Sequence, residues 1–112
     1  MDQLTAELGA VKTQMAAMMS MLVEIKAAQD NAAHRNWNSM SRMFDHQLEP
    51  LKAEAGEQVG TYPPAGLFPA SLSQLANMGH AELDALEQFY SRAFAGDSLA
   101  RRYSKLMAFI GA

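Results

Sequence analysis

From Leu4 onward the apolar residues step by four and three in strict alternation: Leu4, Leu8, Val11, Met15, Met18, Leu22 and Ile25. That spacing is the heptad repeat of a coiled-coil helix, with Leu8, Met15 and Leu22 at position a and Leu4, Val11, Met18 and Ile25 at position d. Met1 falls at a in the same register. No proline interrupts residues 1–49 and Gly9 is the only glycine among them, so the pattern predicts one helix, about 70 Å long at about 1.5 Å per residue. A single helix cannot bury such a stripe by itself, and nothing later in the chain is a second rod of matching length. The stripe therefore predicts a homo-oligomer of two to four copies. Met19 at e and Met21 at g widen the apolar arc and favour three or four. Glu7 at g and Lys12 at the following e form one ion pair if the copies run parallel, worth only a few tenths of a kcal/mol at an exposed site.

The same register carried past Ile25 places Gln29 and Asn36 at a, with Ala32, Ser39 and His46 at d, so the seam turns small and polar along "QDNAAHRNWNSMSR". Buried amides at a cost stability but set register and copy number. A second stripe, Trp37, Met40, Phe44, Leu48 and Leu51, takes over at helical spacing, rotated from the first, as a helix does when it leaves one partner for another. Pro50 disfavours helix at Glu49 and predicts the end or a kink of the rod there.

Gly56, Gly60, Pro63, Pro64, Gly66 and Pro69 crowd residues 55–70, a linker without periodicity in which Tyr62, Leu67 and Phe68 should be pinned against something larger. Three short helices are expected after it. Ser71 with Gln74 reads as a capping box before Leu72, Leu75 and Met78. Gly79 with Glu82 opens the next helix, whose buried face runs through Leu83, Leu86, Phe89, Tyr90 and Phe94. Asp97 is the expected N-cap of the last helix, which carries Leu99, Tyr103, Leu106 and Ile110 on one side and closes at Gly111. Forty-two residues is below the size at which a domain usually stands alone, so 71–112 should pack on the rod or on neighbouring copies. The expectation is an all-α chain: coiled-coil helix 1–54, linker 55–70 and a three-helix cluster 71–112 with a core of Phe68, Leu72, Leu75, Leu83, Leu86, Phe89, Tyr90, Leu99, Tyr103, Leu106 and Ile110.

Composition narrows the function. The 112 residues are 49% hydrophobic and 19% charged with a net charge of -3, ordinary for a folded chain and without global attraction for nucleic acid or anionic lipid. The absence of cysteine removes disulfides, zinc-thiolate sites and thiol nucleophiles. The opening "MDQLTAELGA" carries two acids and no base, unlike a secretory or mitochondrial leader, and no run approaches the roughly 20 apolar residues of a membrane span. A soluble intracellular protein, cytoplasmic or nuclear, is expected.

Two resemblances follow from the residues. "NAAHRNWNS" after a coiled coil, then "PPAGLFPASLSQLANMGHAELDALEQFY" and "GDSLARRYSKLMAFIG", resemble a class of small coiled-coil proteins seen mainly in fungi, in which a Phe-Pro-x-Ser/Thr start leads into Leu-spaced helices. The resemblance implies an oligomer and no particular reaction. The last three helices are also similar in layout to SAP modules, small DNA-binding units that end in a basic helix. By that resemblance Arg101, Arg102 and Lys105 would contact nucleic acid, although residues 71–112 balance four bases with four acids.

Catalytic and metal chemistry find little footing. His34, His46 and His80 are never three or four residues apart, so no two share a helical face as metal ligands, although His46 at d could form a ring of imidazoles in an oligomer. Glu82, Asp84 and Glu87 near one helix start fit the helix dipole better than an acid/base pair. Arg35, Trp37 and Arg42 could stack on single-stranded nucleic acid, yet Trp37 shares its stripe with Met40 and Phe44 and reads as core. The reading is a non-enzymatic, cofactor-free, metal-free coiled-coil scaffold that presents its C-terminal clusters to a protein partner. The alternative is an oligomeric nucleic-acid binder.

Overall fold

In the computed structural model, which describes residues 2–40 and 46–112, helix α1 (Asp2–Ser39) dominates the long dimension of a molecule measuring 64 × 27 × 22 Å. Three short helices follow, α2 (Leu72–Ala76), α3 (His80–Tyr90) and α4 (Leu99–Ile110), and no strand forms among the described residues.

Helix α1 ends ten residues before the end expected at Glu49, and residues 46–54 are extended rather than helical. The reason lies in two asparagines. Asn31 and Asn38, both wholly buried, each grip the returning chain as a backbone strand would. Asn31 Nδ2 donates to Lys52 O (2.7 Å) while its Oδ1 accepts from Lys52 N (2.6 Å). Asn38 Nδ2 donates to Glu49 O (3.0 Å) and its Oδ1 accepts from Glu49 N (2.7 Å). Seven helical residues rise about 10.5 Å, and three extended residues span about 10 Å. The two clasps therefore match only if the segment runs antiparallel to α1 in extended form. Partners for its backbone are thus available outside a helix, and Leu48, Leu51 and Ala53 turn into the core.

The expected second stripe is accordingly split. Leu48 and Leu51 are buried, but from the extended segment; Trp37 on α1 and Met40 in the turn just past its end are exposed, and Phe44 lies outside the described residues. Past Ala53 the chain closes a small loop, Ala53 N donating to Thr61 O (2.9 Å) and Gly60 N to Ala53 O (2.8 Å). Gly60 has φ +82°, and a Cβ there would stand 2.7 Å from Val23 Cγ1, so the loop meets the rod at Val23. Leu67 and Phe68 pack against the core, while Tyr62 is largely exposed.

The core joins Leu48, Leu51, Leu75, Leu83, Leu86, Tyr90, Phe94, Leu106, Phe109 and Ile110, with Phe68, Leu72, Phe89, Leu99 and Tyr103 partly buried against it. Edge-on aromatic contacts run from Phe89 to Tyr90 (5.0 Å between centroids) and on to Phe109 (4.9 Å). Ser71 caps α2 by accepting from Gln74 N (3.2 Å), and Glu82 reaches back to accept from Gly79 N (2.9 Å) at the start of α3. At α4 the cap is Ser98 rather than Asp97: Ser98 Oγ accepts from Arg101 N (3.3 Å), and Asp97 forms an exposed pair with Arg101 Nε (3.0 Å). Both residue types cap well, so one position of slippage costs little. Gly111 ends α4 at φ +87°, where a Cβ would fall 2.7 Å from Arg35 O. Helix α4 thus docks end-on against α1.

Candidate functional site

Helix α1 has two faces with different fates. Ala27, Asn31, His34 and Asn38 occupy heptad positions f and c, and the contacts of the C-terminal body, residues 46–112, centre on that side, with Asp30 and Trp37 at b and Arg35 at g flanking it. Around a helix turning about 100° per residue, position f lies about 140° from a and about 160° from d, so the body centres on the side away from the a/d stripe.

On the body side, α1 completes the C-terminus of α4. The last carbonyls of a helix lack partners within it. Arg35 Nε donates to Phe109 O (2.8 Å) and Asn38 Nδ2 to Ile110 O (2.9 Å), and the guanidinium adds a cation where the helix dipole is negative. Arg35 also pairs with Glu54 (2.7 Å). Lys52 Nζ meets Asp30 Oδ2 at 2.7 Å, with Lys26 on the same oxygen at 3.3 Å. The hydrogen bond from Lys52, then that from Lys26, holds the Asp30 carboxyl below its ordinary pKa, and the bond to Asp30 raises Lys52.

On the other face the stripe is open. Leu4, Leu8, Val11, Met15, Met18, Leu22 and Ile25 range from 49% exposed at Val11 to 63% at Leu22. Met19 and Met21 flank them, equally bare. Met18, Met21, Leu22 and Ile25, at i, i+3, i+4 and i+7, enclose an apolar depression of about 210 Å³. Four residues at that spacing form the hole that receives a side-chain knob from a facing helix. Burying the rest of seven such side chains is worth on the order of 5–10 kcal/mol per chain before the costs of association. Gln29, Ala32, Asn36 and Ser39, which extend the a/d register, are exposed too, so that register does not turn toward the body.

The basic trio divides. Arg101 and Lys105 are exposed, but Arg102 is 7% exposed and is withdrawn from the nucleic-acid contact expected of it. Its guanidinium donates to Phe94 O (2.9 Å), Asp84 Oδ1 (2.8 Å) and Glu87 Oε1 (3.1 Å), and sits 2.9 Å from His80 Nδ1. With His80 O at 3.4 Å taking the fifth N–H, no donor is left for a phosphate. The same contacts account for Asp84 and Glu87 as the clamp between α3 and α4, and Glu82 is spent on the cap of α3.

The other candidates scatter. Arg35 is turned to α4, Trp37 Nε1 donates to Gln47 O (2.9 Å), and Arg42 lies outside the described residues. His34 bonds Tyr62 Oη (2.8 Å), His46 lies against Trp37 (5.2 Å between centroids), and His80 serves Arg102. Among the described residues no three His, Asp or Glu side chains gather as a metal site, and no helix is long and apolar enough to cross a membrane. A concavity of about 580 Å³ between the 56–58 loop and Gln88 and Phe89 of α3 is open to solvent, with Glu57 in its lining.

Asn31 and Asn38 are structural residues that the sequence reading passed over, and Arg102 is one to which it gave a different role. Two asparagines seven apart at c are a legible signal only once an antiparallel extended segment is imagined beside them. Comparisons with family models, curated proteins and solved structures found no match for the chain, so the resemblances drawn from its motifs rest on the sequence alone.

Proposed function

We propose that the chain is a non-enzymatic self-association module: α1 pairs with copies of itself through the Leu4–Ile25 stripe and carries the compact C-terminal body as a surface for a protein partner. The observation that carries this reading is an unbroken heptad stripe, seven layers long, left bare on the face opposite the body. Contiguous exposed apolar surface of this extent marks an interaction site. Self-pairing is favoured because one stripe with one repeat complements itself. Exposed Met19 and Met21 broaden the arc and favour three or four copies over two. The nucleic-acid alternative loses Arg102 and keeps only Lys105 and an Arg101 already paired with Asp97. Light scattering tests the proposal: a multiple of 12.2 kDa supports it, and a monomer ends it. Absence of DNA or RNA binding at low salt disposes of the alternative.

A further inference from the structure

We infer that the seam runs the whole length of α1, with copies parallel and in register, so that Gln29 and Asn36 meet their own counterparts and the bodies ring the outside of one end. This rests on the self-association reading and adds orientation and the residues that select it. Body contacts fall at b, c, f and g, from Val23 to Asn38, but Gln29, Ala32 and Asn36 are all exposed, so nothing of a chain's own fold covers them and the a/d face stays clear for a neighbour from Leu4 to Asn36.

Orientation then follows from what each layer would hold. In a parallel pair every layer is symmetric: apolar residues face apolar residues, and Gln29 and Asn36 each face an identical amide, which is both donor and acceptor. The antiparallel arrangement that overlaps the helices fully sets Gln29 against Val11, Ala32 against Leu8 and Asn36 against Leu4. Two amides would then be buried against aliphatic groups that cannot bond them. Charge agrees. Parallel pairing brings Glu7 beside the partner's Lys12, whereas antiparallel overlap sets Lys12 beside Lys26 and Glu7 beside an Arg35 already held by Glu54. A second copy in parallel register is therefore the occupant whose chemistry fits the whole face.

The cysteine-free chain allows a direct test, because one introduced thiol gives one reading. Ala32→Cys lies at d on the exposed face, away from the body, and a disulfide needs Cα atoms about 4.4–6.8 Å apart. Under mild oxidation Ala32→Cys alone should cross-link to itself as a species of twice the chain mass. If it does not, and a mixture of Leu8→Cys with Ala32→Cys cross-links between the two variants, the copies are antiparallel and the inference falls. If neither cross-links while light scattering still gives a multiple of the chain mass, the seam stops short of residue 32 and the inference again falls. If neither cross-links and the mass is that of one chain, the self-association reading itself is overturned, and a helix of another protein becomes the candidate occupant.

Discussion

Removing the amide of Asn38 is the most informative local perturbation. That one side chain satisfies Glu49 N–H, Glu49 C=O and Ile110 C=O, and it is wholly buried. Asn38→Ala strands all three. The Ile110 carbonyl, buried at the end of α4, should cost about 2 kcal/mol, within the range of about 1–3 for an unsatisfied buried group. The two groups of Glu49 are half-buried and open to water on relaxation, so about 0.5–1 kcal/mol each is reasonable. The total is about 3–4 kcal/mol, a large fraction of the roughly 5–15 kcal/mol available to a domain. It corresponds to a fall in Tm of roughly 10–15 °C for a chain of this size. Urea unfolding at one fixed chain concentration measures it, with Trp37 as a built-in reporter because its indole donates to Gln47 at the start of the clasped segment. Gln88→Ala, exposed on α3, should stay within about 0.5 kcal/mol of the parent. If Asn38→Ala costs less than about 1 kcal/mol, the clasp does not hold the segment and does not set the end of α1.

Arg102→Met should lose about 2–3 kcal/mol by urea unfolding, below the usual figure for breaking a buried pair because Asp84 is two-thirds exposed and can be rehydrated. Arg102→Lys should restore little of it, since an ammonium cannot reproduce the fork that reaches Phe94 O and both carboxylates. Acid should weaken the fold in part through Asp30: its pKa is depressed in the folded chain, so its contribution is present above the ordinary value of 3.8 and is lost as pH falls through the folded value. Asp30→Asn should flatten that limb of a stability profile. Burial raises the Tyr90 phenol, and Lys52 is raised by Asp30, so both contributions are present below their ordinary values of 10.0 and 10.5 and are lost as pH rises through the folded values; Tyr90→Phe should soften the alkaline limb.

The long N-terminal helix was legible because its period repeats over many turns, and each additional heptad strengthens the same inference. The caps at Ser71, Gly79 and Gly111 were legible because each depends on a few adjacent residues. The end of α1 was not. Residues 40–49 contain neither proline nor glycine, and what holds Glu49 and Lys52 out of a helix is a pair of amides 11 and 21 residues upstream of them, contacts that no local pattern encodes. Arg101 and Arg102 show the same limit on a smaller scale. Adjacent helical residues point about 100° apart, so one faces water and the other the α3 carboxylates, and a dipeptide cannot say which. Reading both as a basic patch treated as common what the helix separates. The amides buried within the chain are Asn31 and Asn38, five residues before and two after the Asn36 expected at position a, and their face of the rod was not marked by any apolar period.

The central claim is that the bare stripe on α1 is covered by copies of the chain, and a paired mass measurement tests it most directly. Light scattering on the parent should return a multiple of 12.2 kDa. Leu22→Asp, which sets a carboxylate in a seam layer without touching the body, should return 12.2 kDa while Trp37 fluorescence stays unchanged. A parent that runs as a single chain, or a Leu22→Asp variant that remains assembled, would contradict the account.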